Sequence, residues 1–472
     1  MLWFLRRKRH RDPTPTKVVS RPPLYVSLGV DFGTRYTKIA WRDVVTEEAG
    51  IIGFGSGSTR RRMIPSWVAV DENGVLMICG DSIPEGATRV NFLKMHLSGT
   101  PLTPMPPAVR DEIQDPAAVL CAFFLARVMC HAREAFASNH RHLTKDRPTE
   151  WFPRVGMPTA QFASPLRHRF EDIARTAWTL SRAMETREVE RTPTLKELDE
   201  SLSTITAAAD DDAREMEAYP EIGASVLAFL SGPSAVPGVY IYFDIGGGTL
   251  DGVAFRYDNV GGDRRVEYLA AQVEPLGFDA VVRSLRSQTP DTPYSELRET
   301  IWRACNVGQV SVDMTEAEVR VQKAVASVVA GGRGRDRRDW HREPPQTAIA
   351  ESIYAGREMP RPYEELIVFL GGGGCRCRIY RHWIEQAHGA FQHRRIGIPR
   401  YALKPIQPSS AFRLPSDISK SYYRLSVAFG LTVVPTTALR VTGAPNQPAV
   451  EVAVRRFVDF DARAVEGYGE TV

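Results

Sequence analysis

Two short segments of the same pattern, far apart in the chain, constrain the fold more than any other feature of the sequence. In each, an apolar strand ends in an aspartate, a glycine-rich turn follows, and a second apolar strand returns. The first segment is Tyr25–Trp41, with Asp31 before its turn, and the second is Val239–Phe255, with Asp244. Strands joined by so short a turn form a β-hairpin rather than a strand-to-helix connection. Two copies of one unit predict two related α/β halves with a cleft between them.

Further strands and helices surround the two hairpins. The apolar patterns predict strands at 63–70, 75–78, 153–157 and 366–370, and helices at 116–137, 165–182, 220–230, 280–285, 294–305, 378–387 and 420–431. Acidic residues dominate 197–217, which we interpret as a solvated helix pair or an insertion. Glycines, prolines and five arginines fill 331–345, which predicts an exposed loop. Strands and helices are mixed throughout, so the sequence predicts an α/β fold.

The glycine-rich turns are the segments of the sequence best suited to chemistry. Consecutive backbone N–H groups in such a turn bind phosphate oxygens without hindrance from side chains. An acid beside the turn can hold Mg²⁺ or its waters, because Mg²⁺ is commonly bound by one or two carboxylates together with substrate phosphates. A single turn of this kind is equally well an ordinary hairpin, but a third glycine turn, Gly371–Gly374, follows the strand at 366–370. No Walker-type or Rossmann glycine motif occurs in the expected strand–helix context.

These motifs resemble those of the DnaK-type heat shock protein 70 chaperones, a branch of the actin-like ATPase superfamily. Asp31–Thr37, Asp244–Asp251 and Phe369–Gly374 resemble the family's phosphate-1, phosphate-2 and adenosine motifs. Four shorter segments also resemble parts of the family. Ile64–Val68 resembles its early strand pattern and Phe92–Lys94 its lysine segment. Val155–Pro158 resembles the strand before its middle helix, and Glu221–Phe229 its first connecting helix. Together the motifs span about residues 25–435, in the family's order.

The resemblance implies an actin-like ATPase fold, in which two duplicated ribonuclease-H-like lobes surround a nucleotide cleft. Each lobe would be built on a five-stranded mixed sheet, and ATP or ADP with Mg²⁺ would bind in the cleft. The implied domains are a basic flexible tail at 1–22, lobe I at 23–232, lobe II at 233–435 and a C-terminal extension at 436–472. The chain ends about 40 residues after the ATPase-like region, so we expect no peptide-binding domain.

The resemblance also implies roles for individual residues. The implied metal-binding residues are Asp31 and Asp244, and the implied catalytic residues are Lys94, Glu221 and Asp251. The residues that would surround the β- and γ-phosphates are Gly33, Thr34, Tyr36, Gly246, Gly247, Gly248 and Thr249. Gly372 and Gly373 would lie against the adenosine, with Arg376 or Arg378 stacked on adenine. Such a set suits phosphoryl transfer, in which positioning and charge neutralisation dominate.

Several of these residues also have an ordinary structural interpretation. A lone lysine such as Lys94 is usually a solvated surface residue, and Glu221 could be an acid favoured at a helix N-terminus by the dipole. Cys375 and Cys377 could indicate a metal site, but no second cysteine pair or suitably spaced histidine accompanies them. We therefore interpret these two cysteines as structural thiols.

Some residues depart from the family's pattern. Arg35 and Lys38 stand in the first turn where the family has small or polar residues, and Arg424 stands where an acid is expected. Cys375 and Cys377 flank an arginine in place of the family's Ser-Thr-Arg. The helix expected to clasp adenosine matches 294–305 best, yet that segment lacks the family's lysine–arginine pair.

We expect first an ATP-binding, slowly hydrolysing protein whose nucleotide state moves the lobes and switches a protein partner. A filament-forming, actin-like cytoskeletal or segregation ATPase is an alternative, which nucleotide-dependent sedimentation would distinguish. A small-molecule kinase of the same superfamily is another. A fourth is a non-hydrolysing nucleotide-binding scaffold, which the altered adenosine motif favours.

The net charge of +4 suggests a polyanionic partner at first. Residues 1–22, however, carry seven Lys or Arg against one acid, so this tail holds +6 and the remaining chain −2. The tail could contact a membrane or nucleic acid, or simply act as a disordered solubilising segment. Six cysteines are too few for a disulfide scaffold, and no apolar run approaches the ~18 residues that span a bilayer. We therefore expect a cytoplasmic protein.

Overall fold

The structure is a computed structural model of the chain. The described residues are 22–55, 61–159, 164–185, 192–212, 216–230, 235–261, 263–307, 313–336, 340, 365–392, 397–408, 412, 414, 416–433 and 439–442. The predictions for the basic tail and for most of the C-terminal extension concern 1–21 and 443–472, which lie outside these ranges.

Strands and α-helices are mixed along the described chain. The strands are β1 Leu24–Phe32, β2 Tyr36–Asp43, β3 Ala49–Ile51, β4 Ile64–Pro65, β5 Trp67–Val70, β6 Leu76–Met77, β7 Thr88–Asn91, β8 Thr149–Met157, β9 Glu217–Pro220, β10 Gly238–Ile245, β11 Leu250–Val260, β12 Asp263–Glu274, β13 Glu365–Gly371, β14 Arg400–Pro405 and β15 Leu439–Thr442. The α-helices are α1 Leu93–Leu97, α2 Pro107–Arg110, α3 Pro116–Asn139, α4 Arg141–Thr144, α5 Leu166–Glu185, α6 Leu195–Asp212, α7 Glu221–Leu230, α8 Phe278–Ser284, α9 Tyr294–Val307, α10 Thr315–Arg335, α11 Arg378–Gln386, α12 Gly389–Gln392, α13 Ser416–Ser419 and α14 Ser426–Thr432. The predicted α/β class is confirmed.

The two large sheets share one topology. The first sheet has the strand order β3-β2-β1-β8-β9, and β4 also pairs with β2. The second has the order β14-β13-β10-β11-β12-β15. In each sheet the hairpin partners are antiparallel, and the two strands on the far side of the inner hairpin strand run parallel to it. The order β12-β11-β10-β13-β14 thus repeats that of the first sheet, which is the duplication expected from the two hairpins.

Helices α7 and α14 fill the space between these sheets. Helix α14 packs on β1, β2 and β8 of the first sheet and on α7. The same two helices contribute to a buried cluster with the second sheet, which includes Ile222, Phe429 and Tyr242. Glycine makes the close approach of the helices possible, because a Cβ on Gly430 would overlap the carbonyl oxygen of Ala224. Strand β15, which the sequence places in the C-terminal extension, pairs with β12 at the edge of the second sheet.

Helix α3 forms much of the core beside the first sheet. It begins after Asp115, whose carboxylate accepts the N–H of Ala118 at 3.1 Å, with Pro116 in the first turn. Of the described helices, α3 alone is long and apolar enough to cross a membrane, with a mean hydropathy of 1.3 over its most apolar window. In the structure, 78% of that window is buried inside the protein.

The prediction of an exposed loop at 331–345 is wrong for the described part of that segment. Helix α10 continues through its glycines to Arg335, and the side chains that follow, Asp336 and Trp340, are buried. Glycine usually weakens a helix, but a Cβ on Gly332 would lie 2.6 Å from the Cβ of Ala254. Close packing of α10 on β11 therefore explains the glycine, which composition alone attributes to a loop.

Two further predictions differ from the structure. The acidic stretch at 197–217 forms one helix, α6, and ends at β9 rather than forming a solvated helix pair. Leu195 and Leu198 anchor this helix in the core. The helix predicted at 420–431 is divided, since a 3₁₀ turn over Tyr422–Arg424 precedes α14.

Candidate functional site

A cavity of about 330 Å³ lies between the turns of the two hairpins and the third glycine turn. The predicted site residues that line it are Asp31, Gly33, Thr34, Tyr36, Lys94, Glu221, Asp244, Gly246, Gly247, Thr249, Asp251, Gly372, Gly373 and Arg376. Gly248 is the exception. A Cβ there would lie 2.8 Å from Sδ of Met95 in α1, so this glycine allows the second hairpin turn to pack against α1.

The two hairpins place their acids at equivalent points. In the first, Asp31 lies directly opposite Lys38 across the β1–β2 pair. In the second, Asp244 lies directly opposite Asp251 across the β10–β11 pair. Lys38 Nζ donates to Asp31 Oδ2 at 2.7 Å, so the first hairpin has a neutralised pair where the second has two like charges.

Lys94 and Glu221 form a buried ion pair at the base of the cavity. Lys94 Nζ lies 2.6 Å from each carboxylate oxygen of Glu221, and both residues are buried. Burial lowers the pKa of Lys94, but the charges of Glu221, Asp251 and Asp31 outweigh this effect and leave the pKa raised. Burial also raises the pKa of Glu221, which Lys94 offsets only in part.

Distant elements bring this ion pair together. Glu221 is the first residue of α7, and Lys94 lies in the short helix α1. Phe92, just before α1, has a left-handed φ of 58°, which is uncommon for a residue other than glycine and is often found at functional sites. The ordinary interpretation of Lys94 as a solvated surface lysine is wrong, because the residue is only 5% exposed.

Among the described residues, neither Asp244 nor Asp251 forms an ion pair like that of Lys38 with Asp31. Burial, followed by the charges of Asp251 and Asp31, raises the pKa of Asp244 to about 7. Burial and the charge of Glu221 raise the pKa of Asp251 to about 7 as well. Tyr242 donates its hydroxyl to Asp244 at 3.3 Å, whereas Asp251 Oδ1 is buried without a hydrogen-bond partner among the described residues.

The donor set fits a divalent cation on one side of the cavity only. Within the described ranges, no group of three or more His, Cys, Asp or Glu could hold a metal ion by itself. Mg²⁺ needs no such group when phosphates supply further oxygens. Asp244 and Asp251 fit this role, because a cation between them would relieve the mutual repulsion of two facing carboxylates, of which Asp251 is buried and Asp244 is partly exposed. Asp31 is less suited to it as placed, because Lys38 already donates to its Oδ2 at 2.7 Å.

Asp279 is a site residue that the sequence did not reveal. It lies in α8 and its side chain is only 1% exposed. Its Oδ1 accepts from Arg35 of lobe I at 3.0 Å, and from Tyr294 and Arg298 of α9 at 2.6 and 2.7 Å. Its backbone N–H donates to the carbonyl of Gly247 at 2.8 Å. Asp279 therefore joins both hairpin turns and α9 at one point.

The third glycine turn and α9 form the far end of the cavity. Gly372 has a φ of +78°, which favours glycine, and it donates to the carbonyl of Tyr423 at 2.8 Å. Arg376 lies over the Tyr423 ring at 4.7 Å and lines the cavity, whereas Arg378 begins α11 and does not line it. The sequence analysis matched 294–305 to the helix beside adenosine but did not name its lining residues, which are Arg298, Glu299 and Trp302. Arg424, which was named only as a departure from the family's pattern, also lines the cavity.

The spacing of two α9 residues could have predicted that this helix lines the cavity. Arg298 and Trp302 are four residues apart, so they share one face of the helix, and both line the cavity. The thiols of Cys375 and Cys377 lie buried beyond the turn, and neither forms a disulfide. Their burial agrees with their interpretation as structural thiols.

Comparisons with known proteins do not supply a family. No protein-family model matches the chain, and no curated protein matches it. The fold and the cavity define a mixed α/β protein in which glycine turns, carboxylates and lysines surround one cavity.

Proposed function

We propose that the chain binds ATP or ADP with Mg²⁺ in this cleft and hydrolyses ATP slowly, as a DnaK-like member of the actin-like ATPase superfamily. The observation that carries the proposal is the meeting of three glycine turns, separated by over a hundred residues in the chain, in one cavity with Lys94, Glu221 and Asp251. The repeated strand order of the two sheets supports the actin-like fold.

The residues of the cleft suit the stages of phosphoryl transfer. The hairpin turns at Gly33 and Gly246–Thr249 offer backbone N–H groups to phosphate oxygens. Lys94 supplies a fixed positive charge for the transferred group, and Glu221 holds its ammonium in place. Asp251, with a buried oxygen that has no hydrogen-bond partner in the described chain, can accept a proton from an attacking water. Mg²⁺ bound at Asp244 would add neutralising charge at the phosphates.

The nucleotide would act on a protein partner through the position of the lobes. Helices α7 and α14 lie between the two sheets, and the Arg35–Asp279 ion pair joins the lobes across the cleft. A ligand in the cleft that contacts both hairpin turns would therefore favour one lobe arrangement over others. A cytoplasmic location belongs to the same proposal, and the burial of α3 inside the protein supports it.

Binding and turnover measurements test the proposal. The purified chain is titrated with ATP and Mg²⁺ by calorimetry, and phosphate release is measured beside Lys94→Ala and Glu221→Ala. We expect one bound nucleotide and slow turnover that falls by about a hundredfold or more in both variants. Absence of nucleotide binding by the wild-type chain, or full turnover in both variants, would refute the proposed function.

A non-hydrolysing nucleotide-binding scaffold is the second candidate. It is favoured by Lys94, which is held by both oxygens of Glu221, and by Arg424, a cation where the resembled family has an acid. Tight nucleotide binding without phosphate release by the wild-type chain would support this candidate over the first.

A further inference from the structure

The two hairpins differ in charge at one equivalent position. Seven residues after the turn aspartate, on the strand opposite it, the first hairpin has Lys38 and the second has Asp251. Because the two sheets share their strand order, these residues occupy matching places on either side of the cleft. Only the first of the duplicated units therefore has a cation directly opposite its turn aspartate.

Lys38 is held close to the first glycine turn. Its Nζ donates to Asp31 Oδ2 at 2.7 Å, with the side chains 16% and 6% exposed. A Cβ on Gly33 would lie 3.3 Å from this nitrogen, so glycine leaves room for the ammonium beside the turn. An ammonium has three donors and Asp31 uses one of them. Lys38 also lines the cavity, where its remaining donors can meet an anion.

A divalent cation would compete with Lys38 for Asp31. The ion pair is poorly exposed and has a short contact, so displacing the ammonium would leave a largely buried positive charge without its partner. On the other side of the cavity, Asp244 and Asp251 face each other and a cation meets no such competition. The side of Asp31 is thus already supplied with positive charge by the chain itself.

We propose that Lys38 is a positioning residue that takes the place of a divalent cation beside Asp31 and holds the terminal phosphates of the nucleotide. A lysine ammonium binds phosphate as a point charge. Nucleotide binding then persists without divalent ions, and any divalent ion acts at Asp244, on the other side of the cavity. The inference rests on the proposed nucleotide function.

The test compares nucleotide binding in Mg²⁺ with binding in excess EDTA. The full chain is titrated with ATP beside three variants: Lys38→Met, which removes the charge; Lys38→Asp, which gives the first hairpin two facing acids; and Lys323→Met, an exposed control in α10. We expect the wild type and the control to keep their affinity within about tenfold in EDTA. Lys38→Met should lose about ten- to a hundredfold in EDTA, and Lys38→Asp should bind only when Mg²⁺ is present.

The outcomes separate this inference from the proposed function. If the wild type binds ATP in Mg²⁺ but shows no ATP binding in EDTA, the proposed function stands and the role of Lys38 is refuted. Equal affinity of Lys38→Met and the wild type in EDTA would refute it too. If the wild type binds no nucleotide in either condition, the proposed function itself falls. Thermal melting shows whether each variant folds. If a variant does not fold, the comparison of wild-type ATP binding in Mg²⁺ and in EDTA still tests the inference.

Discussion

Among single residues, Lys94 and Glu221 depend on each other most directly. The lysine reaches the cavity from α1 and the acid from α7, 127 residues apart, and both residues are buried. A buried ion pair is costly to break, because the remaining partner keeps its charge in a poorly solvated place. The site therefore couples the stability of lobe I to the charges that the proposed chemistry needs.

The change Glu221→Gln tests this dependence. It keeps the shape of the side chain but leaves the Lys94 ammonium without a counter-charge, so we expect the free energy of unfolding to fall by about 3 kcal/mol or more. Chemical denaturation measures the effect. The control is Asp111→Asn, which removes an exposed ion pair with Arg110 and should leave stability nearly unchanged. Equal small effects of both changes would contradict the buried pair.

Asp244 makes a pH-dependent contribution to stability. Its pKa rises to about 7 on folding, so the folded chain binds a proton more tightly than the unfolded chain does. Its favourable contribution is therefore complete below the usual carboxyl pKa of about 4 and is lost as pH rises towards 7. Asp251, opposite Asp244, acts in the same direction.

Melting temperatures of the ligand-free chain test this contribution. We expect melting at a higher temperature near pH 5.5 than near pH 8. Asp244→Asn should raise the melting temperature near pH 8 and narrow the difference between the two conditions, because a neutral amide replaces a buried charge. Glu200→Gln, a change at an exposed residue of α6, is the matched control. It should leave the melting temperatures at both pH values unchanged. A larger pH difference in Asp244→Asn than in the wild type would contradict the assignment.

At the scale of elements, the third glycine turn is the most restricted segment of the cavity. Gly372 has a φ of +78°, and a Cβ there would overlap Asp244 Oδ1 and the carbonyl oxygen of Ile245. Gly373, the next residue, has nothing within 4 Å of its Cβ position. Two neighbouring glycines thus have opposite tolerance of a side chain.

The pair Gly372→Ala and Gly373→Ala tests the geometry of this turn. We expect Gly372→Ala to lower the free energy of unfolding by about 2 kcal/mol or more, because it combines left-handed strain with a backbone clash. Gly373→Ala should leave the free energy of unfolding close to that of the wild type. Thermal or chemical denaturation distinguishes them, and equal stability of the two variants would argue against the turn as described.

Elements with local signals were predictable from the sequence. The two hairpins follow from alternating apolar strands around glycine turns, and α3 follows from helical spacing after an Asp-Pro start. Helix α10 was not predicted. Its C-terminal end was interpreted as a loop, because Gly332 serves contact with β11 rather than chain reversal. Contacts between segments distant in the chain determine where this helix ends, and local composition does not reveal such contacts.

At the scale of the whole molecule, the repeated sheet topology places the two hairpin turns on opposite sides of one cleft. The resemblance to the chaperone family implied that Asp31 and Asp244 would share a site with Lys94 and Glu221, and all four line the cavity. The role of Asp279 was not predictable, because its ion pair with Arg35 joins residues 244 positions apart. Only the folded arrangement shows that this acid connects the lobes beside the glycine turns.

The central claim is that this cleft binds a nucleotide, and Gly373 offers the most direct measurement. Its Cβ position is open and the residue lines the cavity, so Gly373→Leu should fold normally while its side chain fills space that the nucleotide needs. The control is Gly389→Leu, at a position that is also open but outside the cavity lining. Calorimetric titration with ATP and Mg²⁺ should give one site in the wild type and the control, and at least about tenfold weaker binding in Gly373→Leu. No binding by the wild type, or equal binding by a folded Gly373→Leu variant, would contradict the claim.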